Sequence, residues 1–315
     1  MTSHRNGSTR VSNFLLNCFV KSPNWQLWLS MPLSILFLLA MGANATLLVT
    51  IRLEASLHEP MYYLLSLLSL LDMALCLTVI PKVPAIFWFD LRSISFVASF
   101  VQMYIMNCFL TMESCTFMVM AYDRYVAICH QLRYPSIITE QFIAKVAIFI
   151  LARNALITMY VSILSRHYCS RNEIDHCLCS NLGVTSLACD NITINRFYHL
   201  ALAWFVVGSD MGLVFASYML IIRSVLRLNS AEATSKALST CSSHLTLILF
   251  FYTAVIVVSV THLAGRQIPI IPVLLNVLHS VIPPALNPMV YALRTQELRV
   301  GFQRLIGLGE KMPRK

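Results

Sequence analysis

Seven apolar stretches, each long enough to cross a bilayer, take up most of the chain and leave room for few other folds. A helix needs about 20 apolar residues to span the hydrocarbon. The runs fall at 27–51, 60–80, 96–128, 141–164, 197–226, 236–260 and 270–293, and the longer third and fifth suit tilted helices or helices that project beyond the hydrocarbon. Composition rules out a water-soluble alternative: 57% of the residues are apolar and 12% charged, against roughly 25% charged in an average soluble domain. No repeat, charge block or linker divides the chain, so the segments read as an N-terminal segment (1–26), a bundle (27–293) and a tail (294–315). In the tail, Leu298, Phe302, Leu305 and Ile306 recur at helical spacing among Arg299 and Arg304, as in an amphipathic helix lying on a membrane. The expected fold is an all-α membrane protein, a seven-transmembrane helix bundle with a short amphipathic C-terminal helix.

The net charge of +9 would suit nucleic acid in a soluble protein, but here the Lys and Arg lie between apolar runs, and no nucleic-acid partner is expected. One set of loops holds Arg52, Arg124, Arg133, Lys145, Arg223, Arg227, Lys236, Arg294, Arg299, Arg304, Lys311, Arg314 and Lys315. The other holds Arg5, Arg10, Lys21, Lys82, Arg92, Arg166, Arg171, Arg196 and Arg266. Thirteen against nine places the C-terminus in the cytoplasm and the N-terminus outside. The acceptor triplets at Asn6 and Asn191 fall outside on this scheme, where glycosylation occurs, whereas the triplet at Asn44 lies within the first span and should stay bare. The polar start carries no cleavable signal, so the first span is expected to direct insertion.

Polar groups within a bilayer are costly and mark function by default. Here they are Asn44, Asp72, Glu113, Asp123 with Arg124, Asp210, and Asn287 with Pro288. Helical period puts Asp72 and Glu113 near mid-span, where two unpaired carboxylates would repel. A cation, a shared proton, or donors from Asn44 and Asn287 would relieve them. An interhelical polar clasp with no exchangeable ion is the plainer alternative. Cys169, Cys177, Cys179 and Cys189 crowd one outside loop and read as a disulfide-stapled lid in an oxidising compartment. The spacing of Cys177 and Cys179 is not that of a zinc site. Signatures of a catalytic nucleophile or metal centre are absent, so neither an enzyme nor a cofactor is expected. A transporter is disfavoured because no internal repeat or paired broken helix occurs.

Four segments then carry a resemblance: 120–129 (MAYDRYVAIC), 60–72 (PMYYLLSLLSLLD), 236–244 (KALSTCSSH) and 287–291 (NPMVY). Together they resemble the rhodopsin-like G-protein-coupled receptors, specifically the olfactory receptors, over about residues 25–305. Arg294 to Arg299 and Thr261-His262 resemble the class I, or fish-like, branch. The resemblance implies a plasma-membrane receptor that binds a small volatile odorant within the bundle. It would activate a stimulatory, olfactory-type heterotrimeric G protein and raise cyclic AMP, with a lipid or peptide receptor as the alternative. It implies coupling roles for Asp123, Arg124, Tyr125, Tyr218, Asn287, Pro288 and Tyr291, with Arg124 held by Asp123 at rest and a bend allowed at Pro288. Stepping outward from Arg124 by helical turns places Met106, Asn107, Leu110 and Thr111 on the inner face of the third span. Leu202, Ala203 and Val206 take that place in the fifth span, Tyr252, Val255, Ile256 and Ser259 in the sixth, and Asn276, Val277 and Ser280 in the seventh. Such a lining, apolar with a few hydroxyls and amides, suits a small neutral ligand.

The resemblance also implies two bridges. Cys169 would pair with Cys189, and Cys179 would meet a cysteine three residues before Gln102, where this chain has Ser99. Cys179 is therefore expected to lack its usual partner. Cys177, one residue away, is too close for ordinary bridge geometry, and Cys18 is a remote alternative.

Overall fold

A computed structural model describes residues 13–18, 23–163, 173–174, 176–179, 184, 192–227, 231–264 and 270–305. Among these, seven long helices follow one another: α1 (Pro23–Leu53), α2 (Pro60–Val79), α3 (Phe96–Cys129), α4 (Glu140–Ile163), α5 (Ile192–Val225), α6 (Ala231–Ala264) and α7 (Ile270–Arg294). A terminal helix α8 (Gln296–Leu305) follows α7. Local signals set the helix starts. Pro23 and Pro60 open α1 and α2, where a missing N–H costs nothing. Ser95 caps α3 by accepting the Ala98 N–H at 3.2 Å. Helices α5 and α6 begin earlier than their apolar runs, at Ile192 and Ala231, because hydropathy marks the bilayer edge and not the end of the hydrogen-bonded ladder.

Each of α1 to α5 carries a stretch long and apolar enough to cross a membrane, while the described apolar part of α6 is His244–Val257. Large apolar side chains face outward, including Met31, Ile35 and Leu38 on α1 and Leu213, Phe215 and Met219 on α5. Buried polar groups face inward, among them Asn44, Asp72, Glu113, Asp210 and Asn287. This inversion is what a lipid solvent demands. Helix α7 contains Pro283, Pro284 and Pro288. Pro288 has no N–H to offer the Pro284 carbonyl four residues back, and Asn44 Nδ2 of α1 donates to that oxygen at 2.8 Å. Helix α8 lies against α1 through Leu298, which is buried, and through Gly301, where a Cβ would stand 3.0 Å from Thr50 Cγ2.

The N-terminal end is capped by a small sheet that the sequence reading does not contain. Strand β1 (Asn13–Leu16) pairs antiparallel with β2 (Ser93–Ser95) and parallel with β3 (Glu173–Ile174), in the order β2-β1-β3. Phe14 and Leu16 point into the bundle while Asn13 and Leu15 face out, the alternation of a half-buried strand. Beneath them Val83, Ile86, Met103, Ile174, Val277 and Val281 form one apolar core. A second core around Phe117, Tyr218, Phe251 and Tyr291 fills the opposite half.

Candidate ligand pocket and coupling site

Near the far end of α3, Asp123 is buried and takes two partners. Its Oδ2 accepts from Arg124 Nη2 at 2.9 Å and Nε at 3.2 Å, and its Oδ1 accepts from the Tyr134 hydroxyl at 2.9 Å. Burial and the Asp123 carboxylate push the Tyr134 phenol above its ordinary range, so it stays a donor. The Arg124 guanidinium also rests on the Met61 sulfur of α2. Arg124 is thus folded back against its own helix and α2. Tyr125 bonds His130 at 3.1 Å. Tyr218 on α5 and His244 on α6 join at 2.7 Å between the hydroxyl and Nδ1. Tyr291 is buried on α7, and its hydroxyl has no partner among the described residues.

Deeper in the bundle, Asn287 Nδ2 donates to Asp72 Oδ2 at 3.0 Å and to Glu113 Oε1 at 3.3 Å. The two carboxylates and the amide therefore share one polar core. Asn44 is not in it. Its amide donates to the Ala40 and Pro284 carbonyls, which makes it an α1–α7 clasp.

A third cluster lies between α3, α4, α5 and α6. Arg153 Nη1 stands 3.1 Å from Asp210 Oδ1 and 3.3 Å from Oδ2. Ser114 Oγ donates to Asp210 Oδ2 at 3.2 Å and lies 3.0 Å from the Tyr252 hydroxyl. Arg153 is absent from the sequence reading, although it is the one Lys or Arg left over when both loop sets have been counted. That leftover was the signal for it.

The proposed ligand positions lie on α3, α5, α6 and α7. Val206, Tyr252, Val277 and Ser280 are buried, and Met106, Leu110 and Val255 are half-buried. Asn107 donates to the Met103 carbonyl at 2.8 Å, Thr111 to the Cys108 carbonyl at 2.9 Å, and Ser259 to the Val255 carbonyl at 2.8 Å. Ile256 does not fit the expected lining. It is exposed on the outer face, because one residue beyond Val255 turns about 100° around a helix. The side chains of Leu202, Ala203 and Asn276 lie outside the described residues, as do Asn6, Asn191, Cys169 and Cys189.

The lid cysteines differ from the sequence expectation in one respect. Cys18 is bonded to Cys177, not to Cys179, and Cys179 is a buried free thiol. The strand pairing of β1 with β3 brings Cys18 to Cys177, and that pairing is invisible in local sequence.

Comparison with known proteins agrees with this geometry. The olfactory receptor family profile matches residues 33–308. Over 98% of this chain, human Olfactory receptor 56A3 is 64% identical, with all of its own length covered. Human Olfactory receptor 56A1 is 62% identical over 98% of each chain. Mouse Olfactory receptor 56B34 is 61% identical over 97% of this chain and 96% of its own. The crystal structure of squid rhodopsin superposes with a TM-score of 0.74 at 16% identity, covering 90% of this chain and 86% of that one, so it shows the fold alone. The seven-helix bundle is therefore that of a membrane receptor and not of an enzyme, and the chain belongs to the olfactory receptor family.

Proposed function

We propose that the chain is an odorant receptor of the class I branch, resident in the plasma membrane with its N-terminus outside and glycosylated at Asn6 and Asn191. A small volatile ligand sits among Met106, Asn107, Leu110, Thr111, Leu202, Val206, Tyr252, Val255, Ser259, Val277 and Ser280. Its binding activates a stimulatory, olfactory-type G protein and raises cyclic AMP. The observation that carries this reading is the continuous packing from pocket floor to coupling site. Tyr252 packs on Phe251 with ring centroids 5.2 Å apart, Phe251 on Phe117 at 5.3 Å, and Phe117 on His244 at 6.1 Å. His244 is in turn bonded to Tyr218. A ligand that displaces Tyr252 moves α6 against α5, and opening of that seam frees Arg124 from Asp123 to meet the G protein. Asp72 and Glu113 hold a cation or a shared proton beside Asn287, which biases the resting state.

In cells supplied with the olfactory stimulatory G protein, a panel of small neutral volatiles should raise cyclic AMP through the wild-type receptor. Arg124→Ala should abolish that rise while leaving the receptor at the cell surface. Full signalling by R124A sinks the coupling assignment.

A further inference from the structure

Ser99 occupies the position from which, by the family resemblance, a cysteine of α3 would hold the outer loop. It is fully buried, and its hydroxyl donates to the Phe96 carbonyl at 2.7 Å. One turn further along α3, Gln102 makes a non-covalent contact with that loop. Its Oε1 accepts the Cys179 N–H at 3.3 Å, and its Nε2 donates to the Thr78 carbonyl at 3.1 Å. The same loop is fastened covalently two residues earlier, by Cys177 to Cys18, both buried. Cys18 ends a segment fixed on three sides. Leu16 N–H donates to Arg92 O at 3.0 Å, Asn17 N–H to Ile174 O at 2.8 Å, and Gln26 Nε2 of α1 to Cys18 O at 2.7 Å.

We infer that the N-terminal segment, through the Cys18–Cys177 bridge, has taken over the tethering of the outer loop that Ser99 withdraws from α3. The lid over the ligand pocket is thereby anchored to α1 and strand β1. In the folded receptor burial also protects this bridge, because it pushes the Cys179 thiol up to about 12, despite the nearby Lys82. A thiol held protonated does not attack a neighbouring disulfide, so exchange to a Cys18–Cys179 bridge is suppressed. Forming the bridge removes two protons and two electrons from the Cys18 and Cys177 thiols. An oxidoreductase disulfide of the secretory pathway accepts them and becomes a dithiol. The inference rests on the outward N-terminus proposed above.

An epitope tag at the N-terminus and a protease site inserted between Cys18 and Pro23 test both. After protease treatment of intact cells, the wild-type receptor should keep the tag on a non-reducing gel and lose it with a phosphine reductant. C18S and C177S should lose it without reductant. Wild-type release without reductant overturns the bridge. Cutting only after permeabilisation overturns the orientation instead, and the tag readout is then taken on those membranes. For the takeover itself, C18S and C177S should each lower surface expression several-fold, and the double variant no further. Adding S99C to the double variant should restore most of the loss by renewing the tether to Cys179. A double variant at the wild-type level, or one that S99C fails to lift, overturns the takeover.

Discussion

Arg153 and Asp210 meet across α4 and α5 with the acid almost wholly buried, and each is tolerable there only because of the other. Breaking a buried pair leaves an uncompensated charge and costs about 3–5 kcal/mol, whereas replacing both partners by apolar residues is often neutral. Arg153→Met alone should therefore reduce surface expression sharply, and Arg153→Met with Asp210→Leu should recover much of it. An equal defect in the double variant would show that the pair is needed for more than charge balance. Asp72 and Glu113 make a different demand, since the single Asn287 amide serves both carboxylates. If a cation balances them, raising sodium should suppress basal cyclic AMP in the wild type and lose that effect in Asp72→Asn and Glu113→Gln. A sodium response alike in all three leaves only the polar clasp. The individual acids were legible in the sequence because charge within an apolar run is conspicuous. Their partners were less so: Asn287 follows from its motif, but Arg153 meets Asp210 from another helix 57 residues away in sequence, a pairing that helical period does not contain.

The helices themselves were readable, since a bilayer-length apolar run has few other outcomes. Their exact ends and the strand β1 were not. Four residues of alternating burial are too short a pattern, and the partners of β1 lie far off in sequence at Ser93–Ser95 and Glu173–Ile174. Helix α7 shows how one element depends on another. Pro288 frees the Pro284 carbonyl, and Asn44 of α1 satisfies it. Leaving a buried carbonyl unpaired costs about 1–3 kcal/mol, so Asn44→Ala should lower the thermal midpoint of the detergent-solubilised receptor by several degrees. In a Pro288→Ala background the helix can supply its own donor, and Asn44→Ala should cost markedly less. Additive losses in the two backgrounds would mean that Asn44 acts elsewhere.

At the scale of the whole receptor, the outer faces of the helices carry apolar side chains for lipid, while ionisable and hydroxylic groups line the interior from the capped end to Arg124. The bilayer supports the helices, and the interior is left to carry the signal. The bridge from Cys18 to Cys177 adds a consequence for how the molecule comes apart under force. It closes α1 to α4 into a single covalent loop with a sequence separation of 159. A probe pulling on the two ends can draw out α5 to α8 as extended chain, but it cannot lengthen the closed part. At about 3.3–3.6 Å per extended residue, that loop of 159 withholds roughly 520–570 Å of contour length, to be released in force spectroscopy only when a reductant is added.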